Sequence, residues 1–279
     1  MKLTLFFLAL FSSITILPGQ PLDEKILEGF SIRNVGPAGM SGRITAIDVV
    51  NSAPNHIYIG SASGGVWEST DGGVEWNPIF DDQPSLAIGA IKINQQNPSE
   101  IWVGTGEGNP RNSQNSGKGI FRSLDGGRTW MHMGLTETKV IHRILIDGHD
   151  PSTIYVGAGG SPWNPSTERG VFKSTDSGKT WTKILYSNDK SGVGDLIMDP
   201  ANPRKIIAAL YEHMRTPWDF VSGGAGSGLY ITYDGGEKWK KITADEGLPA
   251  GQLGRIGLAV STSKPNIVYA LVEAKEDRK

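Results

Sequence analysis

Cysteine is absent from the 279 residues, which excludes disulfide scaffolds, thiol chemistry and cysteine-ligated zinc. An excess of either charge is missing too. With 27 Lys and Arg against 29 Asp and Glu, a formal charge of -2, there is no basic footprint for nucleic acid or anionic lipid. The five histidines, His56, His132, His142, His149 and His213, show no HxH or HExxH spacing, so neither a metal site nor a cofactor is predicted. Gly104-Thr105-Gly106-Glu107-Gly108 has the glycines of a phosphate loop but lacks the Lys-Ser/Thr that should follow, which removes nucleotide binding. Also lacking is the run of about 20 apolar residues that crosses a bilayer. The uncharged, strongly apolar run Leu3 to Leu17 lies between Lys2 and Pro18-Gly19 and reads as an export signal. Residues 1–20 are therefore expected to be cleaved, leaving a mature form that does not span a membrane and resides in the periplasm, at the cell surface or outside the cell.

Glycine is abundant, at 37 residues, with 16 prolines beside it; many short strands joined by tight turns follow from that composition. One octad recurs four times: STDGGVEW from Ser69, SLDGGRTW from Ser123, STDSGKTW from Ser174 and TYDGGEKW from Thr232. Its aspartates, Asp71, Asp125, Asp176 and Asp234, are 54, 51 and 58 residues apart. A second mark recurs five times, a proline turn before an alternating run, at Pro54, Pro98, Pro151, Pro203 and Pro265. A short β-branched run precedes each proline. Each unit thus reads as four strands in about 50 residues, the blade of a β-propeller. The all-β propeller is expected to occupy residues 21–279, with blades near 43–82, 86–134, 140–187 and 193–243 and a partial fifth over 253–273. Four and a half blades do not close a ring, so the chain is expected to be part of a longer propeller whose C-terminal blades are missing.

Turn chemistry accounts for the octad. Asp accepts backbone N–H groups two residues on, Gly supplies positive φ, and the Ser or Thr hydroxyl adds a local bond. The tryptophans Trp76, Trp130, Trp181 and Trp239 re-enter the sheet and are expected between blades. Four copies mark a frame element, because a catalytic carboxylate is needed once or twice.

The octads resemble the Asp-box, or BNR repeat, Ser/Thr-x-Asp-x-Gly-x-Thr-Trp. Asp125 and Asp176 sit in full matches, while Glu75 and Lys238 replace the Thr in the first and fourth boxes. With the xNPxxIYVG strands and the opening IRNVGPAGMSGRI, the chain looks most like exported bacterial proteins of the sortilin (VPS10)-like group, often labelled glycosyl hydrolases. That resemblance implies a fold and little about activity. A sialidase would need an Arg-Ile-Pro segment where Ser31-Ile32-Arg33-Asn34 stands. A two-propeller xyloglucanase would need a general-base Asp in a setting like YARADIGG; the matching YIGSASGG, Tyr58 to Gly65, has Ala62 there.

The unit lengths separate frame from variation. From box Asp to the next proline the distance is 27, 26, 27 and 31 residues, whereas from proline to the following Asp it is 17, 27, 25 and 31. The added length falls between strands two and three of blades two to four, on the face opposite the Asp-boxes, where binding residues gather. These loops offer Arg111, Trp163, Arg169, His213, Arg215 and Trp218 as ligand-binding candidates, since Trp and Arg dominate binding hot spots and aromatic rings stack on sugars. Trp163 and Trp218, each beside a proline, have the alternative role of plugging their own loops. The first functional expectation is an exported module recognising protein, peptide or glycan. The second is part of a glycoside hydrolase, with Glu107 and either Glu212 or Asp219 as the carboxylate pair.

Overall fold

A computed structural model describes residues 43–275; the expected export signal and Ser31 to Asn34 lie outside the described residues. Blade 1 comprises β1 (Ile44–Val49), β2 (Ile57–Ser61), β3 (Val66–Ser69) and β4 (Asn77–Pro78). Blade 2 comprises β5 (Ile88–Ile93), β6 (Ile101–Thr105), β7 (Ile120–Ser123) and β8 (Met131–His132). Blade 3 follows with β9 (Ile141–Ile146), β10 (Ile154–Ala158), β11 (Gly170–Ser174) and β12 (Thr182–Leu185). In blade 4, β13 (Ser191–Asp199) and β14 (Asn202–Arg215) precede β15 (Phe220–Ser222), β16 (Gly228–Thr232) and β17 (Lys240–Ile242). Blade 5 contains β18 (Leu253–Val260) and β19 (Val268–Ala274). Neighbouring strands within each blade run antiparallel in chain order, as a propeller meander requires. The exception is β15, which folds back onto the end of β14.

The two sequence marks recur together because they bind each other. At the first glycine position of the box, the N–H donates to the carbonyl just after the proline: Gly72 to Asn55, Gly126 to Ser99, Ser177 to Ser152 and Gly235 to Arg204, each at 2.9 Å. Within the box, the Ser or Thr hydroxyl donates to the Asp carboxylate and accepts the second glycine N–H, as Ser123 does with Asp125 and Gly127, both at 2.8 Å. The aspartate takes the N–H four residues on, not two: Thr129 N–H donates to Asp125 at 2.9 Å and Thr180 N–H to Asp176 at 2.9 Å. The two-residue expectation is thereby corrected, since the turn loops around the carboxylate instead of folding over it. In the two complete boxes the threonine hydroxyls add a bond at 2.7 Å and 2.6 Å. That bond is the leading cause holding Asp125 and Asp176 down at about 2.

The core lies in the seams between blades. Tyr58 packs with Ile101, Val103 and Phe121; Trp102 with Ile141, Ile154 and Phe172; Tyr155 with Val193, Leu196 and Ile206. Six residues after each proline mark stands the residue that admits the next blade. A side-chain carbon on Gly60, Gly104 or Gly157 would lie 2.4, 2.3 or 2.6 Å from a branch methyl of Ile88, Ile141 or Val193, far inside carbon contact distance. Glycine is required there by close approach, whereas blade 4 has Ala209 and blade 5 has Leu271, 82% exposed. The box tryptophans join the seams as well. Trp130 donates through Nε1 to the Ile79 carbonyl of blade 1, and Trp181 to Met133 of blade 2, both at 2.7 Å. Trp239 has its Nε1 buried without a partner, and Trp76 turns back to Gly73.

Candidate functional site

The loops between strands two and three share the face opposite the boxes, and backbone bonds tie those of blades 3 and 4 to each other and to the connection between these blades. Ser166 N–H donates to Asp189, His213 N–H to Lys190 and Arg215 N–H to the Pro162 carbonyl. The largest departure from the sequence expectation is in blade 4. YEHMRTPWDF reads as loop, yet β14 continues through Arg215 and β15 pairs with it, His213 opposite Ser222 and Arg215 opposite Phe220. Alternating Tyr211, His213 and Arg215 give this extension one continuous side. Tyr211 and His213 stack there at 4.6 Å and 12°, and the Arg215 guanidinium sits 4.9 Å from the Phe220 ring centre. At the tip, Thr216 and Asp219 bond each other, N–H to carbonyl at 2.9 Å and N–H to hydroxyl at 3.0 Å, closing a tight turn around Pro217 and Trp218. Trp218 is 85% exposed.

That exposure excludes the plug role for Trp218, while Trp163 is half-buried. Arg111 is exposed and has no hydrogen-bond or ion-pair partner among the described residues. Three candidates need correction. Arg169 is fully buried, and its guanidinium donates to the carbonyls of Gly159, Ser161, Asn164 and Lys190, so it staples its own loop. Burial draws its pKa down to about 10. His213 is also buried, and desolvation, reinforced by Arg169, lowers it to about 4; at neutral pH it is an uncharged ring held against Tyr211. Glu107 has no exposed surface, and Arg43 takes both its oxygens, at 3.0 and 2.7 Å. A sealed carboxylate in a two-pronged ion pair has no free oxygen for a sugar.

The other two carboxylates differ from Glu107. Glu212 accepts Asn188 Nδ2 at 3.0 Å and Gly226 N–H at 2.7 Å through one oxygen. Asp219 lies exposed beside Trp218 on the turn.

One polar cluster on this face escaped the sequence reading. Arg255 donates through Nη2 to Asn109 Oδ1 and to His142 Nε2, each at 2.9 Å. Because arginine only donates, His142 is neutral with its proton on Nδ1, which is buried without a partner. Burial first, then Arg143 and Arg255, pushes its pKa well below the usual value. Arg255 also borders a cavity of about 530 Å³ shared with Arg143, Asp195, Leu271 and Glu273. The available signal was one arginine opening the fifth unit, 113 residues from His142. Among the described residues no three His, Asp or Glu side chains form a metal-ligand cluster, and no helix is long and apolar enough to cross a membrane.

The family model for sortilin, neurotensin receptor 3 (Sortilin-Vps10) matches residues 118–248, spanning the second, third and fourth boxes. The repeat is that of a BNR/Vps10-like propeller. Curated relatives of this Vps10-like propeller include a xyloglucanase from Paenibacillus sp, 24% identical over 269 residues, covering 87% of this chain and 25% of the relative. Another is xyloglucanase Xgh74A from Acetivibrio thermocellus, 26% identical over 270 residues, with 85% and 29% covered. The solved GH74 xyloglucanase from Xanthomonas campestris superposes with a TM-score of 0.58 at 20% identity, over 83% of this chain and 35% of that one; at that identity the likeness concerns the fold. This chain spans about a quarter to a third of the length of these proteins.

Proposed function

We propose that the loop face binds a glycan, as the substrate-binding face of a glycoside hydrolase does, and that hydrolysis, where it occurs, does not use Glu107. The observation that carries this reading is Trp218, an indole 85% exposed at the tip of a hairpin whose turn is closed by Thr216 and Asp219. A rigid, exposed aromatic face, on a hairpin bonded through Arg215 to Asn112 in the loop that carries the free cation Arg111, is what an aromatic platform for a pyranose ring needs. The xyloglucanase relatives support a carbohydrate over other ligands. The uncharged run Leu3 to Leu17 supports an exported protein that meets such a polymer outside the cytoplasm.

Affinity electrophoresis through gels containing xyloglucan, cellulose derivatives or mannan tests the reading. Retardation by one of them, lost by at least thirtyfold in Trp218→Ala with the melting temperature unchanged, is the expected result, since removing a binding anchor costs about 2 kcal/mol or more. Unchanged retardation in Trp218→Ala would refute the platform. Retention by a peptide library in place of every glycan would transfer the same face to a protein partner. Release of reducing ends that survives Glu107→Gln and stops in Asp219→Asn would place the chemistry on the hairpin.

A further inference from the structure

We infer that Arg215 is a positioning residue, one that locks the Trp218 turn and the Arg111 loop into a single platform. The inference deepens the glycan-binding reading and rests on it. Arg215 engages three blades at once. Its backbone N–H donates to the Pro162 carbonyl of the blade 3 loop at 2.8 Å. Its Nη2 donates to the Asn112 side-chain oxygen in the blade 2 loop, 103 residues away. Its guanidinium plane covers Phe220, the residue paired with it across the hairpin.

Each contact constrains a different piece. The ring contact and the pairing with Phe220 fix where the 216–219 turn leaves the blade, and hence where the Trp218 indole points. The bond to Asn112 fixes the residue next to Arg111, in a loop that has no strand or helix between β6 and β7. Arg215 Nε is buried without a partner, so the guanidinium is held by its Nη2 bond to Asn112 and its contact with the Phe220 ring; a buried donor left unpaired is a cost the fold carries to keep that geometry. Lysine has one compact ammonium and cannot both cover the ring and reach the amide oxygen.

The test uses the full chain with Arg215→Met, Arg215→Lys, Asn112→Ala and their combination. Two measurements are read: retardation by the polysaccharide that the parent binds, and amide hydrogen exchange. Arg215→Met and Asn112→Ala are each expected to weaken binding about tenfold, the double variant no further than the worse single, and Arg215→Lys to fail to rescue. Exchange over residues 108–116 and 216–219 should rise at least fivefold in both single variants, while β14 stays protected and the melting temperature moves by less than about 2 °C. Asn112 is exposed, so Asn112→Ala keeps the test alive if Arg215→Met folds poorly. Additive losses in the double variant would make Arg215 a direct ligand contact and overturn the inference. So would unchanged exchange in the 108–116 loop. Normal binding by Trp218→Ala would instead sink the glycan reading alone, because the exchange measurement needs no ligand.

Discussion

Gly104→Ala puts the blade-stacking rule to its hardest test. The added carbon would lie 2.3 Å from Ile141 Cγ2 and 2.7 Å from Ile141 Cβ, where carbon atoms settle at about 3.5 to 4.0 Å. Ile141 must retreat by more than about 1 Å, yet it is fully buried in the seam between blades 2 and 3, where no void receives it. Overpacking of this kind costs about 1–3 kcal/mol, and the depth of the overlap puts the expected loss at about 2–3 kcal/mol. In a chain of this size each kcal/mol moves the midpoint by roughly 2–4 °C, so thermal melts followed by circular dichroism should fall by roughly 4–12 °C. Ile141→Ala alone should cost about 2–5 kcal/mol through its cavity. The pair should cost less than the sum by about 1–2 kcal/mol, because the new methyl group enters the space the isoleucine leaves. Gly257→Ala serves as the control, since nothing lies within 4 Å of the position of its added carbon. A Gly104→Ala midpoint within about 2 °C of the parent, or strict additivity in the pair, would refute the argument.

Ser177 sits at φ 61° where the other three boxes place glycine, so Ser177→Gly should raise stability by roughly 0.5–1 kcal/mol, the left-handed penalty less the entropy of the freer chain, read from the same melts. Asp125 and Asp176, held at about 2, favour the fold above the ordinary carboxylate range. That contribution should fade as pH falls from about 4 through about 2. Carboxyl titration by NMR should show Thr129→Val raising Asp125 toward ordinary values with Asp176 unmoved; an unmoved Asp125 would give the role to the backbone N–H groups and the Ser123 hydroxyl. Trp130→Phe breaks a bond to blade 1, whereas Trp239→Phe removes a buried donor that has no partner. In denaturant melts the first should cost at least about 1 kcal/mol more than the second, and equal losses would show that ring volume alone matters.

The parts of the molecule legible in its sequence are those repeated in it. Asp125 and Asp176 announce a box because four copies keep one pattern, and Pro98 or Pro151 announces a strand because a β-branched run follows at fixed distance. Why the two marks keep company was not legible, since the Gly126 to Ser99 bond joins turns from different strands. The site was less readable still. Arg169 and Arg111 look alike in their loops, and only the carbonyls of Gly159 and Lys190, brought in by folding, separate a buried staple from a free cation. Glu107 meets Arg43 across 64 residues, and Arg255 meets Asn109 across 146. No local pattern encodes such pairs. In blade 4 the composition of the Thr216 to Trp218 turn signalled a loop, and the pairing of Arg215 with Phe220 overrode it for the residues before it.

The glycine six places after the proline in blades 1 to 3 gives each of these seams two unlike sides: a socket at Gly60, Gly104 or Gly157, and a peg at Ile88, Ile141 or Val193 on the blade that follows. Parts of this kind are reusable. A gene segment encoding blade 2 or blade 3 can be copied or exchanged in tandem without redesigning its neighbours, because each copy brings the peg for the unit before it and the socket for the unit after. Blade 4 has Ala209 and blade 5 has Leu271 at the same place, so a copy of either needs a smaller peg on the unit that packs against it. Exchange without redesign is thus a property of blades 1 to 3, the units whose socket is glycine.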